Sequence, residues 1–161
     1  MILGLSLMQF TYLHVFMSLI GIGAGIFIIF GLLTSRRLSI LTSLFLITTL
    51  GTRLTGFLFP FKGMSPGIIL GIMSTITLIV AIVALYVCKL AGPWRAIYVI
   101  TACLAFYFNF FVLISQAFDK VPALHAVAPS QKSPGFAVTQ LAVLLIFILL
   151  TTRAVKKFHP E

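Results

Sequence analysis

Six polar or ionisable side chains sit within otherwise apolar stretches of this chain: His14, Arg53, Asn109, Gln116, Asp119 and Gln140. Such groups are costly in a lipid-soluble segment, and by default they suggest a binding site, a proton or ion path, or polar contacts between helices. The inventory limits the chemistry. Asp119 and Glu161 are the only acids among 161 residues, against 11 Lys and Arg. A paired-carboxylate site within one chain is therefore not expected, and a carboxylate-driven pump is disfavoured because no acid lies near a midplane. No P-loop, dinucleotide-binding, H-E-x-x-H, C-x-x-C or C-x-x-C-H pattern occurs, so nucleotide, zinc and attached-haem readings lose their usual support. No metal site is expected. A b-type haem takes one or two axial ligands such as His, and only His14 lies in a span; a bis-His site would need a second chain or His125. No cofactor is assigned, with haem and quinone standing as the alternatives.

These residues need elements to hold them. At 61% hydrophobic and 8% charged, the chain lacks the polar groups to cover a water-facing surface, since soluble domains carry about 25% charged residues. Its solvent is lipid. A crossing helix takes about 20 apolar residues, and five runs qualify: Tyr12 to Leu33, Leu38 to Phe59, Gly67 to Val87, Ala96 to Phe118 and Phe136 to Thr152. The second is interrupted by Arg53 and bounded by Pro60, Phe61, Lys62 and Pro66, so a shorter helix ending at Arg53 remains open. Runs such as LIVAIVALYV and LAVLLIFILL are apolar on both faces, which fits helices and not the alternating strands of a barrel. The expected fold is an all-α polytopic bundle of about five transmembrane helices in a single membrane domain, 1–161.

Lys and Arg collect in cytoplasmic connections. Alternating spans put Arg36, Arg37, Lys89, Arg95, Arg153, Lys156 and Lys157 on one side and Lys62, Lys120 and Lys132, with Arg53 as a fourth candidate, on the other. The N-terminus is thus expected outside and the C-terminus in the cytoplasm. The net charge of +9 reads as a threading signal, and nucleic acid is not an expected partner. Residues 1–11 lack the basic start and cleavage site of a signal peptide. Cys88 and Cys103 lie at depths about 12 Å apart at 1.5 Å per residue, too far for a disulfide.

With this threading most of the polar groups fall in the outer half of the bilayer. Asn109, Gln116 and Asp119 share one helical face, as do His14, Ser18, Gly21 and Gly25. One reading is an outward-opening polar pocket lined by His14, Arg53, Asn109, Gln116, Asp119 and Gln140, with Asp119 as the partner of Arg53. In the plainer reading Arg53 snorkels to the outer headgroups, Asp119 is a helix-end charge beside Lys120, and the amides tie helices together. Gly21 and Gly25, and Gly67, Gly71 and Thr75, form small-residue faces that let helices approach closely, within one chain or between copies. The threonines from Thr48 to Thr55 are expected to bond back to helix carbonyls or across helices. The outer loop, 121–135, is apolar enough for a turn of interfacial helix after Pro122, and His125 either faces the pocket or is a solvated loop residue.

Residues 48–61, TTLGTRLTGFLFPF, and the stretch from Trp94 to Phe136 resemble an uncharacterised family of small bacterial integral inner-membrane proteins. The resemblance implies a bacterial inner-membrane, multi-pass location and carries over no functional residue. The leading expectation for function is a non-enzymatic structural or accessory subunit, forming a homo-oligomer or part of a larger membrane complex. The alternative is a binder or transporter of a quinone-like or lipid-like molecule, and a redox protein ranks below both.

Overall fold

The computed structural model describes residues 2–60, 63 and 66–160; Phe61 and Lys62 at the second boundary, and Glu161, lie outside the described residues. Among the described residues six α-helices are formed: α1 (Leu7–Leu33), α2 (Ser39–Gly56), α3 (Pro66–Ile82), α4 (Trp94–Lys120), α5 (Pro122–Val127) and α6 (Pro134–Lys157). No named strand occurs among the described residues. Among the described residues four helical stretches, Leu7–Leu33, Gly67–Val87, Trp94–Lys120 and Pro134–Lys157, are long and apolar enough to cross a membrane. The protein is a helical bundle of multi-pass membrane type. The second expected span is not among those four, because Arg53 and several threonines make the 18 residues of α2 too polar on average.

Helix ends differ from the hydropathy limits for local reasons. α1 starts five residues before Tyr12 because Ser6 and Gln9 form a capping box: the Gln9 N–H donates to Ser6 Oγ at 3.2 Å, and the Ser6 N–H to Gln9 Oε1 at 2.9 Å. It closes in a Schellman turn, with Ser35 at φ 56° and the Arg36 N–H reaching the Gly31 carbonyl at 2.8 Å. α3 runs on as a π-helical turn, Val83–Val87, closed by the Cys88 N–H on the Val83 carbonyl at 2.9 Å. This wider turn is where Tyr86 meets Ser43 of α2, oxygen to oxygen at 3.0 Å. Past Thr152, the expected limit, α6 continues through Arg153, Lys156 and Lys157, since long basic side chains suit a helix C-terminus. The turn expected after Pro122 is α5, with Pro at its first position.

α4 packs against α1, α3, α5 and α6, and α1 pairs with α2. The core is aromatic: Phe106 of α4 meets the rings of Phe45, Phe110 and Phe147 at centroid distances of 6.1, 5.3 and 5.4 Å. Phe16, Phe27, Phe30, Ile47, Ile76 and Leu149 are among many large apolar side chains on the outside. In water that surface would be a liability; in lipid it costs nothing.

Candidate functional site

The buried face of α2 repeats at helical spacing through Thr42, Phe45, Leu46, Thr49, Thr52 and Arg53. Its polar end meets Asn109 of α4. Arg53, only 8% exposed, donates from Nη2 to Asn109 Oδ1, and Asn109 Nδ2 donates to Thr49 Oγ1 at 3.2 Å. A guanidinium has only donors, so Arg53 fixes which way the Asn109 amide points. Arg53 Nε is buried without a hydrogen-bond partner, and no ion pair forms on this side chain among the described residues. A buried charge with a single neutral acceptor is an expensive arrangement, because both desolvation and unmet donors count against it.

Arg53 lines a cavity of about 300 Å³ with His14, Thr52, Phe57 and Phe59, small residues Gly56, Gly67 and Gly71, and Ile68 and Val112. His14 Nδ1 lies 2.9 Å from Thr55 Oγ1, and the Thr55 hydroxyl donates to the Gly51 carbonyl at 2.7 Å. The Phe59 ring meets His14 edge-on at 5.2 Å. His14, Phe59 and Val112 also wall a second chamber of about 390 Å³ between α1 and α4, where Thr11, Ser18, Gln116 and Lys120 appear. Val15 and Leu19 in that wall are 41% and 51% exposed; both chambers are half open, and the second, which reaches Lys120 at the end of α4, is the outer of the two, the one at Arg53 the inner.

The remaining expected residues are divided among other places. Asp119 does not pair with Arg53; it lines a cleft of about 220 Å³ with His125 and Gln116, under α5. His125 donates from Nδ1 to the Phe118 carbonyl at 3.2 Å. The reason is depth, since Asn109 and Asp119 are ten residues apart on α4, about 15 Å. Gln140 is buried against α4, donating to the Phe111 carbonyl at 3.1 Å, and its Oε1 has no partner. It ties α6 to α4. Gly21 lies under Thr48 and Thr49, and Gly25 under the Phe106 ring, so that small-residue face is filled from within the chain. Gly71 takes the Phe57 ring, with which an added Cβ would make a 3.3 Å contact, and Thr75 bonds back to the Gly71 carbonyl at 2.7 Å.

Thr49, Thr55, Phe57 and Phe59 belong to the site although they were not singled out for it. A signal existed for Thr49, which stands four residues before Arg53 on one helical face. The chain was compared with protein-family models, curated proteins and solved structures, and no match was found.

Proposed function

We propose that this protein binds an amphipathic small molecule, whose polar end places an acceptor oxygen on Arg53 in the inner chamber. The carrying observation is the buried Arg53 itself, with its unpartnered Nε, on the wall of a cavity. An unpaired cation at that depth loses stability unless something accepts its hydrogen bonds, and about 300 Å³ is at the lower end of the range for small-molecule sites. The half-open outer chamber gives an apolar tail a route from the bilayer. An accessory subunit packing through Gly21 and Gly25 would need that face free, and α2 and α4 already occupy it.

The same proposal includes a threading in which α2 also crosses, giving five spans with the N-terminus outside. Two contacts support it: Leu38, just before α2, lies against Gly31 of α1, and Gly56, at its other end, lies against His14. The two α1 positions are 17 residues apart, about 26 Å along the helix. α2 therefore runs the same thickness as most of α1. A bacterial inner-membrane location rests on the resemblance of residues 48–61 and 94–136.

Native mass spectrometry of the protein extracted with its own lipids tests the function. A small molecule retained by the wild type and lost from Arg53→Gln, with circular dichroism unchanged, is the expected result. A copurifying membrane subunit in place of any small molecule overturns it and restores the accessory-subunit reading.

A further inference from the structure

The hydrogen-bond chain Gly51–Thr55–His14 determines which ring nitrogen His14 offers to the cavity. A threonine hydroxyl has one proton, and that of Thr55 goes to the Gly51 carbonyl at 2.7 Å. Thr55 Oγ1 is then an acceptor toward His14, so the proton of the contact at 2.9 Å is on Nδ1. In the neutral ring Nε2 carries the lone pair. The inner chamber thus has unlike neighbours on its wall: Arg53, which can only donate, and His14, whose uncommitted nitrogen accepts.

Resting on the binding reading above, we infer that the ligand's polar end is a neutral ring hydroxyl, as in a benzoquinol, with a hydroxyl oxygen accepting from Arg53 and an O–H donating to His14 Nε2. A fatty-acid carboxylate meets only half of this pattern. Ionised beside Arg53, it has no proton to give and turns its lone pairs toward that of His14. A phenolic hydroxyl ionises only near pH 10 and retains its proton. The walls favour a flat ring as well, since the rings of Phe57 and Phe59 line the chamber. Thr55 is a positioning residue in this arrangement. It sets the tautomer and touches no ligand.

The test is binding to the full-length protein in nanodiscs under argon, by calorimetry, with four probes. These are a decyl-tailed benzoquinol, the matching benzoquinone, the quinol dimethyl ether and oleate. The quinol is expected to bind about tenfold more tightly than the quinone or the ether, the worth of one well-made hydrogen bond. His14→Phe keeps an aromatic ring against Phe59 and should bring the quinol down to the quinone's level, leaving the quinone unchanged. Arg53→Gln should weaken all of the ring compounds. Equal binding of quinol, quinone and ether by the wild type overturns the hydroxyl assignment and leaves the Arg53 reading intact. Tight oleate binding with no ring compound bound overturns the ligand class alone. A folded protein, checked by circular dichroism, that binds none of the four overturns both.

Discussion

Arg53 was conspicuous in the sequence because it interrupts an apolar run, but its partner could not be read there. Charge alone suggested Asp119. The structure instead assigns Asn109, which lies at the right depth on α4 and is itself held by Thr49. Removing one member of this group should therefore have unequal consequences. Asn109→Leu strips Arg53 of its acceptor and leaves a buried cation with none, at a cost of about 3 kcal/mol. Arg53→Met removes the charge, and Asn109 keeps its bond to Thr49, so the loss should be about 1 kcal/mol or less. The double variant is expected to be more stable than Asn109→Leu alone, a coupling that a double-mutant cycle by unfolding in mixed micelles would measure. If Asn109→Leu were no worse than Arg53→Met, the guanidinium would have water or lipid oxygens to turn to, and the buried-cation argument would fail.

Among the elements, the long helices were legible because lipid forces the backbone to satisfy itself and hydropathy marks where that happens. Their ends were less so. The S-x-x-Q box that starts α1 is present in the sequence at Ser6 and Gln9, but it lies outside the apolar run that hydropathy marks. The π-helical turn at Val83–Val87 has no residue-type signature in VALYV, which reads like the rest of the apolar run. Small-residue faces were legible as packing faces, but which side of a glycine is used depends on the partner. Gly25→Ala would place a Cβ 2.5 Å from the Phe106 ring. That ring is held by Phe45, Phe110 and Phe147 and has nowhere to move, so a loss of about 1 to 3 kcal/mol is expected. Gly23, two residues away, has nothing within 4 Å of its Cβ position, and Gly23→Ala should be neutral or stabilising by up to about 1 kcal/mol. Thermal midpoints in detergent would compare the pair; equal midpoints would mean that α1 does not pack on α4 through this face.

At the level of the whole molecule, threading turns on whether α2 crosses. Arg36 and Arg37, just after α1, share a small cavity with Tyr86 at the end of α3 and Phe158 just beyond α6. Arg95 at the start of α4 donates from Nη1 to the Val155 carbonyl at 3.0 Å and also to that of Phe158, and the His159 N–H reaches Ser35 Oγ at 2.8 Å. Four chain segments rich in Lys and Arg thus meet at one end of the bundle. Lys120, Asp119 and α5 gather at the other, where the α4 end and Thr11 border the same chamber. Were α2 to lie flat, the connections at Ser35 and Ala91 would emerge on opposite faces of the membrane, and these contacts could not form. Single cysteines at Ser35, Ala91 and Ser130, in a chain with Cys88→Ser and Cys103→Ala, distinguish the cases with a membrane-impermeant maleimide. Five crossings require Ser130→Cys to react in intact cells, and Ser35→Cys and Ala91→Cys only after permeabilisation. Reaction of Ala91→Cys from outside, with Ser130→Cys protected, would mean four crossings and remove the depth argument that puts Arg53 inside the bilayer. The packing gathers the basic segments at one end of the bundle, and in the proposed threading the positive-inside bias makes that end the cytoplasmic one, with the two chambers around His14 toward the outer leaflet.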